Sequence, residues 1–300
     1  MARLRTSPTR PGSRTRLLPM VNVFTASIRF NIMSSSSSTR AFTLVELMAL
    51  VALVAFAGTL LIPALAHNKP SSAAVRCLNN LRQLGAAWRM YADDNAGRLV
   101  WNRDGLNVGT SQNWIGGWLD FSTSVDNTNT ALLVDHAKYP LAAYLGPYIK
   151  SASVFKCPAD NSKTPLGAAR VRSVSMNNCV GEAGRSWQTP SQYQLYRKID
   201  AIGKPSPAAL WILLDEREDS INDGCFFSNP DTPYNIIDYP AAYHNHGAGF
   251  AFADGHAELH LWNDPRTTPV LRSGQLLPFN VILPGDLDIT WLQQHATSKP

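Results

Sequence analysis

The sequence predicts an α+β protein in which a long N-terminal helix, first transmembrane and then amphipathic, packs on a head rich in antiparallel strands. Three observations predict it. Residues 42–66 carry a single ionisable side chain, Glu46. Ala74, Cys77, Leu78, Leu81, Leu84, Trp88 and Tyr91 then recur at spacings of three and four, which is one face of a helix. Beyond Gly97 the texture changes to short runs such as "RLVW", "SVFKCP", "ALWILLDE" and "GAGFAFADGHAELHLW", separated by Gly, Pro, Asn and Asp, as strands and turns are.

The elements follow in order. Residues 1–41 are rich in Arg, Ser, Thr and Pro, hold seven arginines and no acid, and cannot pack a core. They read as a basic leader removed from the mature chain, with Met33 a candidate true start. Of the 27 basic residues seven lie in this leader, which leaves 20 against 22 acidic ones, a net charge of −2 for the rest. The basic character belongs to the leader, and no nucleic-acid partner is expected of the body. Residues 42–66 would make a helix of about 37 Å, long enough for a bilayer. Arginines before it place the N-terminus in the cytoplasm, which predicts a single-pass protein of a bacterial inner membrane with its head outside. Pro63 and Pro70 are expected to kink the helix, because each removes an amide donor and clashes with the preceding turn. Residues 67–96 form the amphipathic stalk, ended by "DDNAGR", and 97–300 the head, in which "NTALLVDHAKYPLAAYLGPYI" (129–149) is again helical.

Glu46 needs a reason, since an ionised carboxylate among apolar residues is costly. A cut between Ala41 and Phe42 would create an α-amino group four positions before it. That cation on a neighbouring copy is a natural counter-charge, and an acid early in a helix also complements the macrodipole.

"RAFTLVEL" resembles the processing site of type IV pilins and type II secretion pseudopilins: basic leader, small residue before the cut, Phe42 first in the mature chain and Glu46 fifth. Ala41 departs from the usual glycine. The resemblance implies cleavage by a prepilin peptidase, methylation of the Phe42 amine, and packing of the helix with other pilin-like subunits in a pilus or secretion pseudopilus, served by its assembly machinery. Glu46 would pair there with the first residue of an adjacent subunit. A second resemblance covers the body: "CLNNLRQLGAAWRMYADDNAGRL", "SVFKCPAD", "LLDEREDSINDGCF" and "HNHGAGFAFADGHAELHLW" are similar to pseudopilin-like proteins named for a His-x9-Asp-Gly motif, here His244, Asp254 and Gly255.

This motif also reads physically, as a hairpin over 244–262. With Asp254-Gly255 as a two-residue turn, Phe252 faces Ala257 and Phe250 faces Leu259 on a core side, while His256, Glu258 and His260 lie on a solvated side. A His244–Asp254 hydrogen bond would pin the turn. No resident metal is expected: His244, His246, His256 and His260 are the candidate ligands, but their spacing matches no zinc signature. Calcium has candidate loops at Asp93–Asn95 and in "DEREDSINDG", the first lacking the closing acid of an EF-hand and both reading better as a turn and a solvated loop.

Cys77, Cys157, Cys179 and Cys225 have no CxxC spacing, and are either buried thiols or candidate disulfide partners in any of three connectivities. No P-loop, nucleophile elbow or H-E-x-x-H is present, and no enzymatic activity is expected. The alternative to a structural subunit is a monomeric anchored module that binds a sugar, with Trp114 and Trp118 as stacking rings, or a divalent ion.

Overall fold

The computed structural model describes residues 43–66, 72–105, 111–181, 190–272 and 274–300. These hold four α-helices, α1 (Leu44–Ala66), α2 (Ser72–Asp94), α3 (Ala131–Val134) and α4 (Leu287–Ala296). They also hold seven strands: β1 (Val174–Asn177), β2 (Trp211–Asp215), β3 (Cys225–Phe226), β4 (Asn235–Ile236), β5 (Gly247–Phe252), β6 (Ala257–Leu261) and β7 (Val281–Ile282). The chain divides into two units, Met1–Ala64 and Leu65–Pro300.

Five strands form one sheet in the order β3-β1-β2-β5-β6, antiparallel except for the β1–β3 pair, and β4 and β7 form a small second ladder. Every residue of β2, "WILLD", and of β5, "GAGFAF", is buried. A strand reads as a continuous apolar run when both of its faces are covered, and both are covered here. One face carries the small side chains of β5, Gly249 and Ala251, and receives α2 with Cys77, Leu81, Leu84 and Trp88. The other carries Trp211, Leu214, Phe250 and Phe252 and receives Ile289, Leu292 and Ala296 of α4. Polar ties fix α4: the Trp211 indole donates to the Leu292 carbonyl at 3.1 Å, and Asn177 Nδ2 donates to the Ala296 carbonyl at 2.9 Å.

The expected long N-terminal helix packed on a head is not seen, and the architecture is a mixed α and β one. Helices α1 and α2 are distinct elements, and α2 packs on the sheet. The difference follows from their patterns. α2 has a polar and an apolar face, and Ala74, Cys77, Leu81, Leu84, Trp88 and Tyr91 are all buried. α1 has no such division, and its large side chains from Leu44 to Phe56 are 51–76% exposed.

The single-pass inner-membrane expectation is corrected as well. Among the described residues no helix is long and apolar enough to cross a membrane. Pro63 lies inside the helical span of α1, whereas Pro70 and the leader fall outside the described residues.

Three local expectations also change. Segment 129–149 is helical only over α3, the rest being turns. The hairpin exists, but its register is displaced by one: Phe250 faces Glu258 and Ala251 faces Ala257. The turn contains Gly255 at φ +99°, with Phe252 N–H donating to the His256 carbonyl and Gly255 N–H to the Phe252 carbonyl, so it is a three-residue loop closed by a glycine bulge. The acidic run 215–224 is not a solvated loop, because Asp215, Glu216, Arg217, Asp219 and Asp223 are all buried.

Candidate functional site: a buried cysteine, aspartate and histidine cluster

Four elements each bring one side chain to a common point inside the head. The apolar face of α2 supplies Cys77, and the loop after a 3-10 turn at Ala152–Phe155 supplies Cys157. Asp215 ends β2, and His244 precedes β5. Their ligand atoms, two sulfurs, one carboxylate oxygen and one ring nitrogen, all lie within 4.8 Å of one another. The residues are 0–4% exposed.

Local structure holds each group in place. His244 opens a tight turn in which its amide and carbonyl bond those of Gly247, with Asn245 and His246 at φ +52° and +61°. Positive φ at both central positions is the geometry of a type I′ turn, which asparagine tolerates well. Cys157 donates its amide to Ser173 Oγ at 2.8 Å, and its sulfur accepts the Ala159 amide at 3.4 Å. Across the centre, the Cys77 thiol donates to Asp215 Oδ2 at 2.6 Å, and Cys157 Sγ lies 3.1 Å from His244 Nε2.

The electrostatics follow from burial. Asp215 is pushed well above the usual carboxylate range, chiefly by loss of water and then by the neighbouring Cys157 charge. The hydrogen bond from Cys77, followed by contacts to His244 and the Ala159 amide, pulls Cys157 down to about 5 against the opposing effect of burial. Cys77 is pushed up by that same hydrogen bond and by burial. The single Cys77 proton therefore has two acceptors, the Cys157 sulfur and Asp215. The 2.6 Å contact favours Asp215.

The histidines named from the sequence do not converge. His244 joins the cluster, while His246 is exposed in the turn. His256 stacks on Phe252 at 4.3 Å and pairs with Asp254 through Nδ1 at 2.6 Å, which replaces the expected His244–Asp254 bond. His260 stacks on Trp291 at 3.6 Å. All four cysteines are free and buried, and Cys179 and Cys225 lie outside the cluster, their thiols pushed up mainly by burial. Trp114 is a core residue whose indole donates to the Gly224 carbonyl at 3.1 Å, and Trp118 lines a separate cavity of about 650 Å³ with Asp223, Tyr239 and Arg272. Asp93 and Asn95 sit in a helix-ending turn.

At the N-terminus Ala41 and Phe42 lie outside the described residues. Glu46 is described, and its partner is Thr43: the Thr43 amide and hydroxyl each donate to Oε2 at 2.9 Å, and the Glu46 amide donates back to Thr43 Oγ1 at 3.3 Å. This is a reciprocal capping box, spelled T-x-x-E in the sequence. These bonds lower the Glu46 pKa, with the Thr43 backbone contributing most.

The sequence offers Asp215 only as the first residue of the candidate calcium loop "DEREDSINDG", and no spacing rule joins it to Cys77, Cys157 and His244, because the bonded partners stand 138 and 87 residues apart. No family model matches the chain, and neither the curated proteins nor the solved structures contain a significant match.

Proposed function

We propose that the protein is a prepilin-like structural subunit, cut between Ala41 and Phe42 by a prepilin peptidase and joined through α1 to other pilin-like subunits in a pilus or secretion pseudopilus. The observation that supports this reading most is the state of α1. Leu44, Val45, Leu47, Met48, Leu50, Val51, Leu53 and Val54 are all more than half exposed around a helix with no polar face. A helix that is apolar all round is stable only when covered on every side. The same helix from neighbouring copies would cover it, with Glu46 set at its first turn to meet the new amino terminus of Phe42.

The capping box gives Glu46 a second, purely local role, and one substitution separates the two. Glu46→Gln keeps a side chain able to complete the box but removes the charge. Co-expressed with a prepilin peptidase, the full chain is expected to mature to one beginning with a methylated Phe42, read by intact mass. Glu46→Gln should mature normally yet fail to enter assemblies recovered by shear and sedimentation. A mature chain that retains Ala41, or a Glu46→Gln chain that assembles like the parent, overturns the reading.

A further inference from the structure

We propose that Cys77, Cys157, Asp215 and His244 bind one zinc ion, closing a four-coordinate structural site that pins α2 to the central strand of the head. The donor set is two thiols, one imidazole and one carboxylate, all buried and all within 4.8 Å. Ligand atoms of a tetrahedral zinc ion stand about 3.3–3.8 Å apart, given bonds of about 2.0–2.3 Å. The contacts already present, 2.6 Å for Cys77–Asp215 and 3.1 Å for Cys157–His244, are shorter than that span, so an ion needs these pairs to part by about an ångström or less and the widest pairs, within 4.8 Å, to close by about as much.

Three further observations point to a cation. First, among the described residues no positively charged side chain bonds the cluster, so the thiols and the carboxylate cannot all ionise there without one. Second, the His244 ring lacks strong bonds: among the described residues Nδ1 has no hydrogen-bond partner and Nε2 lies 3.1 Å from the Cys157 sulfur. A metal bond at Nε2 supplies what the imidazole lacks, since buried polar atoms otherwise carry a desolvation cost. Third, Cys157 also lines a surface cavity of about 680 Å³ with Lys156, Asp160 and Arg170, so one ligand of the cluster adjoins space open to solvent.

Two thiolates select zinc over calcium or magnesium, and a set of four protein ligands leaves no open position for substrate. Binding takes the proton from each thiol and passes it to solvent. The site is independent of how α1 is used, and it stands or falls separately from the assembly reading.

The test uses the full chain, reduced, stripped with a chelator and titrated with zinc chloride. The expected result is one zinc per chain by elemental analysis, release of protons on binding, and thiolate-to-metal charge-transfer bands when cobalt(II) replaces zinc. Cys157→Ala and His244→Gln should each weaken binding by more than about 100-fold, beyond the 10–100-fold cost of losing an outer contact. His246→Gln, two residues away on the surface, should bind as the parent does. Circular dichroism establishes that each variant is folded. A folded, fully reduced chain that takes up no zinc at micromolar ion overturns the proposal. So does binding that Cys157→Ala and His244→Gln leave unchanged, or a Cys77–Cys157 disulfide in the freshly isolated chain with no zinc bound.

Discussion

The Cys77 thiol donates to Asp215 Oδ2 at 2.6 Å, a contact that joins the face of α2 to the end of the central strand β2 from inside the core. It exists because β5 presents glycine at 249 beneath it. A Cβ built on Gly249 would lie 2.6 Å from Leu81 Cδ1, 3.1 Å from Asp215 Oδ2 and 3.2 Å from Cys77 Sγ. Gly249→Ala is therefore expected to lift α2 from the sheet and to cost about 1–3 kcal/mol in urea unfolding, the usual range for overpacking. Gly203→Ala, where the added methyl meets nothing within 4 Å, should stay within about 0.5 kcal/mol of the parent. Equal effects at the two positions would count against the close approach described for α2.

A buried arginine latches the acidic segment between β2 and β3. Arg172, 1% exposed, donates to the carbonyls of Asp223 at 2.5 Å and Asn222 at 3.0 Å, and Arg170 beside it donates to those of Glu218 and Ile221. Arg172→Met fills similar volume but orphans two buried carbonyls, which should cost about 2–4 kcal/mol. Hydrogen exchange should speed up over residues 217–224 before it does elsewhere. Uniform loss of protection across the sheet would show that the arginine acts globally and not as a latch.

Burial pushes Asp223 up to about 6, against the Cys225 amide and the Arg172 charge, which pull it down. A carboxyl raised from 3.8 binds its proton more tightly in the folded chain, so its stabilising contribution is complete below pH 3.8 and is lost as pH rises through 6. The shift of about two units corresponds to about 3 kcal/mol. Asp223→Asn, which can still accept from the Cys225 amide, should remove this slope. Relative to the parent, the variant gains about 2 kcal/mol between pH 4 and pH 7 by urea unfolding, and parallel pH profiles would refute the assignment.

What could be read from the sequence was local. The α2 face was legible because Cys77, Leu81, Leu84 and Trp88 repeat at helical spacing against one surface. The β5–β6 hairpin was legible as a hairpin, but its register was not, because Asp254-Gly255 fits either a two-residue turn or a glycine bulge and only the surroundings choose. Alternation places His256 and His260 on the solvated face; the His256 side chain is indeed 40% exposed, but the rings also stack on Phe252 and Trp291, contacts that alternation does not show. Charge density misled at 215–224 for a related reason: Arg170, Arg172 and two serines satisfy that segment internally, and composition cannot see partners. Thr43–Glu46 is the converse case, a T-x-x-E signal spelled by four consecutive residues that needs no tertiary contact to be read. The cluster at Cys77, Cys157, Asp215 and His244 was out of reach, since it is defined by the packing of four distant elements.

The place of α4 has a consequence for synthesis. Trp211, Phe250 and Phe252 lie in strands of the sheet, yet the surface that shields them includes Ile289, Leu292 and Ala296, which are made after every strand of that sheet. The sheet therefore stands with one side bare until residues 287–296 have left the ribosome. A chain arrested before residue 287 would offer three aromatic rings and an uncovered face of the β-sheet to whatever chaperone attends it.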